Sequence, residues 1–238
     1  GDVRDLLLSI RRQRQMCIRD RFNATEDNAF NFSGEIFSAK DVFLNMSKKI
    51  EPSPPIYVGA SAPGTREITG ELADGWIPYV HSLLNYEKLS KDVINGTKKT
   101  KRKISDIDLV ANVPVLITQN ENDERRKKIG RSLSIRLILE ANTLRDLGWN
   151  EEIPEELSQS KMIIDESLSK KLEQIADKIP SEITEQIAAI GRPSEIIEVL
   201  EKYKKMGAKH FVIKFLGQPT TEDLKKFNSE IIQVMKNA

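Results

Sequence analysis

The chain has 238 residues, 39% of them hydrophobic, and can therefore bury one sizeable core or two small ones. Its 37 basic and 36 acidic side chains almost cancel, which argues against partners that a global positive field attracts, such as nucleic acid and anionic membranes. No apolar run approaches the roughly 18–20 residues that a membrane-spanning helix needs. Cys17 is the single cysteine and cannot form an intramolecular disulfide. We therefore expect a cytoplasmic location.

The N-terminal segment is unusually rich in arginine. Six arginines fall within residues 1–21, whereas the rest of the chain carries eight and prefers lysine. The stretch from Arg12 to Arg21 resembles the translated adapter read-through found at the ends of metagenomic gene fragments. On this interpretation residues 1–21 are a non-native tail, and the native chain starts near Phe22. A basic arm that binds nucleic acid and an ordinary terminal helix are the alternatives.

Short apolar runs predict the strands. We expect a hairpin or an extended connection in residues 22–50, around the turn at Ser33–Glu35, and the prolines that follow exclude a helix there. Pro114 counts against a strand around it unless a bulge accommodates the proline. Four runs have the length and apolar character of strands buried in a parallel sheet: Ile56–Ala60, Trp76–Tyr79, Leu109–Thr118 and His210–Leu216.

Helical patterns lie between and after these strands. Pro193 suits a first helical turn, and Gly207 suits a helix end, because glycine reaches left-handed backbone angles at low cost. The alternation of strands and helices predicts βα units around a parallel sheet. Residues 148–166 are polar and contain proline, so we interpret them as an excursion from this framework rather than a linker between domains. The predicted helices are Thr65–Ala73, Asn85–Lys99, Asp123–Leu147, Ser167–Lys178, Ser181–Ile190, Ser194–Met206 and Thr221–Lys236.

The most informative stretch is residues 54–78, which has the pattern of a strand, a turn, a helix and a second strand. In the turn, four small residues stand directly before the helix: Gly59, Ala60, Ser61 and Ala62. Backbone N–H groups at such a helix start are available to bind an anion. A tight turn that needs small residues for packing alone is the alternative.

Residues 54–78 resemble the fifth strand, fifth helix and sixth strand of the luciferase-like flavin and deazaflavin oxidoreductases. Residues 190–213 resemble the last helix start and last strand of the same family, although Arg192 stands where threonine is common. The resemblance covers about residues 30–238, and within the family it points to the methylenetetrahydromethanopterin reductase-like members. It implies a (β/α)8 barrel, a fold of ~250 residues, of which this chain would hold strands five to eight.

The fold implied by this resemblance is α/β, the C-terminal half of a TIM-type barrel formed by residues 22–238. The resemblance also implies that residues 59–62 hold a cofactor phosphate, and that the cofactor is FMN or the deazaflavin coenzyme F420. Most of the contacts to the flavin ring would lie on strands one to four, so the chain alone is expected to be inactive. A four-strand half has two unpaired edges, which favour self-pairing.

Four further residues are candidates for substrate or cofactor contacts. Tyr79 and His81 follow the second predicted strand, and His81 can change its charge near neutral pH; a solvated loop histidine is the alternative. On the third strand, Asn112 either hydrogen-bonds within the barrel or touches a ring edge. On the fourth, Lys214 points into the lumen if the aromatic face of its strand packs under helices, or else extends to solvent.

The expected function is an oxidoreductase that moves a hydride between a flavin or deazaflavin ring and a small carbon substrate, or a monooxygenase if the cofactor is FMN. Tyr79 and Ser82 stand where sugar-phosphate-oxidising relatives carry threonine and lysine, which argues against a sugar-phosphate substrate. Two histidines and a single cysteine give no zinc pattern. The full-length parent is expected to be a homo-oligomer. The alternative is a non-catalytic βα interaction protein whose basic N-terminal arm binds nucleic acid.

Overall fold

The computed structural model describes residues 29–34, 38–43, 54–79, 82–120, 122–139, 141–154, 157 and 166–237. The arginine-rich segment at residues 1–21 and the candidate residue His81 lie outside the described residues. Contacts between Cα atoms divide the chain into two compact units. The first comprises Gly1–Tyr79 with Glu87–Val110, and the second comprises Val80–Tyr86 with Ala111–Ala238.

The first unit contains a hairpin and a run of parallel strands. β1 and β2 pair antiparallel, which confirms the predicted hairpin. β3 pairs parallel with β4, and β4 pairs parallel with β5, as alternating strands and helices predict. The elements in chain order are β1 (Phe30–Ser33), β2 (Ser38–Val42), β3 (Tyr57–Val58), α1 (Pro63–Leu72), β4 (Gly75–Trp76), most of α2 (Leu83–Lys99), a 3-10 turn (Ile104–Asp106) and the start of β5 (Asp108–Ile117).

Asp74 connects the first residues of these strands through hydrogen bonds. Its backbone N–H donates to the carbonyl of Ile56 (2.9 Å), and its Oδ2 accepts from the N–H of Ile56 (2.7 Å). Its carbonyl accepts from the N–H of Asp108 (2.8 Å), and the Asp108 carboxylate accepts from the hydroxyl of Tyr57 (2.5 Å). The hydrogen bond to Asp108, together with burial, raises the pKa of Tyr57 to about 12. This network closes the end of the strands opposite to the turn at residues 59–62.

Two glycines let α1 and α2 approach each other closely. A Cβ atom at Gly70 would lie 2.0 Å from the carbonyl oxygen of Val93, and one at Gly96 would lie 1.9 Å from the carbonyl oxygen of Glu67. No side chain larger than hydrogen fits at such distances from the backbone. An ion pair between Lys99 and Glu67 (2.7 Å) joins the same two helices.

The second unit contains the remainder of β5, two further strands and the helices around them. β6 pairs parallel with the end of β5. β7 also pairs with β5, and the N–H of Leu216 donates to the carbonyl of Val115 (2.8 Å). The elements are α3 (Glu124–Leu139), α4 (Ala141–Asp146), α5 (Glu166–Ala176), α6 (Ser181–Thr184), a 3-10 turn (Glu185–Ile187), β6 (Ala189–Gly191), α7 (Pro193–Lys205), β7 (Ala208–Phe215), α8 (Thr221–Lys226), a π-helical segment (Phe227–Ile232) and α9 (Gln233–Asn237).

One apolar core of the second unit forms around α3. Trp149 and Leu157 belong to the region interpreted as an excursion, and both are buried in this core. The excursion is therefore anchored by apolar side chains, which its polar composition does not indicate. The buried cluster comprises Leu116, Ile129, Leu133, Leu137, Ile138, Leu144, Leu147, Trp149, Leu157, Leu172, Ala176, Ile179, Ile187 and Ala188.

One predicted helix differs from the structure. Asp123–Leu147 agrees with α3 and α4, which cover it on either side of Glu140, a residue outside the described part of the chain. Ser181–Ile190 was predicted as one helix, but it contains the single turn of α6, a 3-10 turn and the first residues of β6. The apolar residues 187–190 fit a helix face equally well, but Ile187 ends the 3-10 turn. Ala189 and Ile190 extend and pair with β5, and Ala189 is completely buried (0% exposed).

The remaining boundaries agree with the sequence within a few residues. Pro193 is the first residue of α7, and Gly207 follows that helix with φ +97°, as predicted. Pro114 falls between the residues of β5 that pair with β4 and those that pair with β6, and neither pairing contains a register shift. The expected bulge is therefore not needed to accommodate the proline in these two pairings.

Candidate functional site

The turn between β3 and α1 contains the four residues for which the sequence predicts an anion site. Gly59, Ser61 and Ala62 are exposed, whereas Ala60 is buried with 2% of its surface exposed. α1 has ten residues and begins at Pro63, and Ala62 gives its N-terminus no side-chain cap. The partial positive charge of a helix start is thus not covered by a side chain of the cap residue.

Three successive carbonyls of this turn are held by donors from the protein. The carbonyl of Ala60 accepts from the indole N–H of Trp76 (3.1 Å). The carbonyl of Ser61 accepts from the guanidinium of Arg66, and the carbonyl of Ala62 accepts from the backbone N–H of Arg66 (3.0 Å).

These contacts determine the direction of the N–H groups. In a planar trans peptide the N–H points away from the C=O of the same peptide unit. Fixing the carbonyls of Ala60 and Ser61 therefore turns the N–H groups of Ser61 and Ala62 away from Trp76 and Arg66. Pro63 has no N–H. N–H groups beside a helix start can bind phosphate and other anions.

Packing does not require a glycine at position 59. A Cβ atom there would lie 3.7 Å from the carbonyl oxygen of Ile77, an ordinary contact. At Gly75, by contrast, a Cβ atom would lie 2.2 Å from the ring of Tyr57. Packing alone thus explains why positions 60 and 75 hold the small residues Ala60 and Gly75, but it does not explain the glycine at position 59.

The loop after β4 is only partly described. Tyr79 is exposed, and His81 lies outside the described residues. Ser82 is buried, and its hydroxyl accepts from the N–H of Asn85 (3.3 Å) at the start of α2. Ser82 therefore has a structural role as a helix-capping residue.

Asn112 and Lys214 both lie on strands of the second unit. The Oδ1 atom of Asn112 is buried and has no hydrogen-bond partner among the residues that the structure describes, although buried polar atoms are normally paired. Lys214 is exposed. The neighbouring Phe215 packs edge-to-face on Phe227 (5.1 Å between ring centroids). Its face of β7 therefore packs against the π-helical segment, and Lys214 projects from the opposite face.

Other kinds of site find no support in the described part of the chain. No group of three or more histidine, cysteine, aspartate or glutamate side chains there is placed to hold a metal ion. None of the helices within the described ranges combines the length and the apolar character that a membrane crossing needs.

The sequence indicated the turn but not the residues that shape it. Trp76 lies 16 residues after Ala60, whose carbonyl it holds, and Arg66 reaches back to Ser61 from inside α1. Arg66 is also bound to Asp92, 26 residues further along the chain. A charged residue within a helix is normally interpreted as solvent-exposed, so nothing in the sequence indicated the burial of Arg66, which only the structure shows.

Comparison with known sequences places these residues in a family. Residues 10–210 match the family described as luciferase-like monooxygenase. An F420-dependent glucose-6-phosphate dehydrogenase from Microbacterium testaceum is 23% identical over 208 residues, which are 84% of this chain and 54% of the relative. A 5,10-methylenetetrahydromethanopterin reductase from Archaeoglobus fulgidus is 22% identical over 217 residues, covering 89% of this chain and 63% of the relative. The chain thus spans between 54% and 63% of the length of these relatives.

Solved structures show the same fold. The coenzyme F420-dependent tetrahydromethanopterin reductase from Methanopyrus kandleri superposes with a TM-score of 0.69 at 16% identity, covering 98% of this chain and 62% of that chain. A riboflavin lyase with modified FMN and riboflavin superposes with a TM-score of 0.56 at 12% identity, covering 87% of this chain and 48% of that chain. The likeness confirms the predicted α/β class, with the parallel strands and helices of a TIM-type architecture.

Proposed function

The chain belongs to the luciferase-like monooxygenase family, and on this premise we propose that it forms part of a flavin- or deazaflavin-dependent oxidoreductase. The proposed reaction moves a hydride between the cofactor ring and a small carbon substrate. When bound, the ring supplies this two-electron chemistry, and FMN would also permit the oxygen chemistry of a monooxygenase. The chain contributes binding and orientation of the cofactor.

Both cofactors predicted from the sequence remain part of the proposal. The names of a glucose-6-phosphate dehydrogenase and a tetrahydromethanopterin reductase that resemble this chain include F420, and the riboflavin lyase structure contains modified FMN. Both cofactors carry a phosphate on the ribityl chain that is attached to their three-ring system, so a phosphate site suits either of them. We propose a cytoplasmic location and a homo-oligomeric full-length enzyme on the same family basis.

One observation carries the proposal: the turn at residues 59–62 has N–H donors turned away from Trp76 and Arg66, beside an exposed glycine that packing does not require. A missing Cβ atom at Gly59 lets a bulky anion approach the backbone, as in other phosphate-binding turns. Ser61 and Ala62 donate their N–H groups, and the start of α1 adds a favourable field. The role proposed for Gly59, Ala60, Ser61 and Ala62 is therefore to hold the cofactor phosphate, with Ala60 as the buried support.

The other candidate residues receive roles that suit their chemistry. We propose that the buried Oδ1 of Asn112 accepts a hydrogen bond from an N–H of the ring edge or of the substrate, because an unpaired buried acceptor is costly. Lys214, exposed on its strand, would pair with an acidic group of the substrate or cofactor. Tyr79 and His81 stay candidates for substrate contacts. No observation on the described residues favours a non-catalytic nucleic-acid-binding protein.

Cofactor titration tests this function. Since the chain spans little more than half of its relatives, the readout is binding rather than turnover. We expect saturable fluorescence changes of FMN, F420 or both on addition of the chain, with competition by inorganic phosphate. Gly59→Val should weaken this binding by at least about tenfold, because it blocks the approach to the turn. Absence of binding by both cofactors would overturn the proposal.

A matched control separates the turn from general effects of glycine replacement. Gly130 lies in α3 of the second unit, and a Cβ atom there would meet Thr184 Oγ1 at 3.9 Å, an ordinary contact. Gly130→Ala should leave cofactor binding unchanged. Equal loss of binding in this variant and in Gly59→Val would assign the effect to stability and contradict a phosphate site at residues 59–62.

A further inference from the structure

We propose that Arg66 is a positioning residue for the phosphate-binding turn: it holds the carbonyl of Ser61 and thereby aims the N–H of Ala62 at the ligand. The inference rests on the proposed function, since it assumes that an anion binds at residues 59–62. Arg66 lies in α1 and is buried, with 4% of its surface exposed. It therefore acts through the backbone of the turn and not by direct contact with a ligand in solvent.

The guanidinium of Arg66 donates hydrogen bonds to two partners, Asp92 and Ser61. Its Nε and Nη2 atoms donate to Oδ2 of Asp92 on α2, at 2.9 and 2.7 Å. Its Nη1 atom donates to the carbonyl oxygen of Ser61. A guanidinium is planar and presents its N–H groups in fixed directions, so the bond to Asp92 fixes the direction in which the third nitrogen meets Ser61.

Asp92 makes this arrangement possible inside the protein. A buried guanidinium needs a partner for its charge, and the side chains of Arg66 and Asp92 are 5% and 30% exposed. The pair anchors the turn to α2 as well as to α1. The carbonyl of Ser61 is thus held by a contact that spans two helices of the first unit.

The hydrogen bond from Arg66 orients one peptide unit, the one between Ser61 and Ala62. The carbonyl of Ser61 and the N–H of Ala62 belong to the same trans peptide, so a donor on the first turns the second to the opposite side. Trp76 does the same for the preceding unit, because its indole N–H holds the carbonyl of Ala60 (3.1 Å). Arg66 therefore controls the N–H of Ala62, and Trp76 controls the N–H of Ser61.

Amide NMR shifts during titration with inorganic phosphate test this assignment. In the wild-type chain, the amides of Ser61 and Ala62 should shift and saturate together. Arg66→Lys keeps the charge but loses the fork that reaches both Asp92 and Ser61. It should reduce the shift of Ala62 and lower the phosphate affinity about tenfold, the effect of losing one hydrogen bond to a charged group. Trp76→Phe should instead reduce the shift of Ser61.

Lys99→Ala is the matched control. The ion pair of Lys99 with Glu67 (2.7 Å) also joins α1 to α2, but Lys99 lies far along α2 from the residue that binds Arg66. A merely structural role of Arg66 predicts that Arg66→Lys and Lys99→Ala change the phosphate shifts alike. The positioning role predicts that the phosphate affinity stays within about twofold of the wild type in Lys99→Ala.

The outcomes distinguish the proposed phosphate site at residues 59–62 from the proposed positioning role of Arg66. If the wild-type amides of Ser61 and Ala62 do not respond to phosphate, both the phosphate site and the role of Arg66 are overturned. If they respond but Arg66→Lys behaves like Lys99→Ala, only the role of Arg66 is overturned. Should Arg66→Lys not fold, the Nε–H signal of Arg66 in the wild-type chain provides the test. It should shift at the same phosphate concentrations as Ala62, and a signal that stays unchanged overturns the inference.

Discussion

Two regions of the first unit contain glycine for different reasons. Between α1 and α2, Cβ atoms at Gly70 and Gly96 would lie 2.0 and 1.9 Å from backbone oxygens of the facing helix. In the turn after β3, a Cβ atom at Gly59 would meet its nearest neighbour at 3.7 Å. The same residue type is thus imposed by packing in one region and left unexplained by packing in the other. The second kind of glycine is the one to which the proposed function assigns a ligand.

Replacing the helix glycines should give the largest effect on stability. In an isolated helix, glycine to alanine is favourable by about 1 kcal/mol. Gly96→Ala should instead destabilise the chain by roughly 3 kcal/mol, because the new methyl group collides with backbone and the helices must separate. Urea unfolding measures this as a lower midpoint at an unchanged slope. A midpoint that rises would show that α1 and α2 are not in close contact.

The ion pair beneath the turn should give the next largest effect. Asp92→Ala leaves the charge of Arg66 buried without its partner, and we expect a loss of about 2 kcal/mol, less than for a fully buried pair because Asp92 is 30% exposed. Lys99→Ala, whose pair with Glu67 is 54% and 35% exposed, should cost less than about 1 kcal/mol. Equal losses in the two variants would mean that Arg66 reaches solvent.

The sequence predicted the framework of both regions but not their contacts. Strands such as Leu109–Thr118 were identified because a long apolar run bounded by polar residues has few alternatives. β6 was missed because its three residues are too few to show alternation, and its tertiary pairing with β5 overrides the helical pattern. Local patterns also identified the turn at residues 59–62.

The contacts that shape the turn could not be predicted in the same way. The link from Arg66 to Asp92 joins residues 26 positions apart on two helices, and no periodicity connects them. The apolar character of Trp76 predicted that this residue lies in a strand. The hydrogen bond from its indole N–H to the carbonyl of Ala60, however, depends on the parallel pairing of β3 with β4. Long-range hydrogen bonds of this kind require the three-dimensional register.

A smaller effect is expected at the opposite end of the same strands, and it depends on pH. The hydrogen bond to Asp108, followed by burial, raises the pKa of Tyr57 to about 12. A raised pKa stabilises the folded state fully below the ordinary tyrosine value near 10, and this contribution is lost as the pH rises from about 10 to about 12. Tyr57→Phe should cost about 1 kcal/mol at neutral pH, and its unfolding free energy should fall less steeply in that range. Parallel pH profiles of the two proteins would contradict the role of this hydrogen bond.

The smallest effect on stability is expected at Gly59. Its φ lies outside the left-handed region and a methyl group fits there, so Gly59→Ala should change the free energy of unfolding by no more than about 0.5 kcal/mol. The same variant should already weaken phosphate binding, because the methyl group stands where the anion approaches the backbone. Chemical denaturation and phosphate titration of this one variant therefore show together whether Gly59 serves packing or anion binding. A destabilisation comparable to that of Gly96→Ala would give Gly59 a packing role, and the contrast between the two regions would no longer point to a ligand.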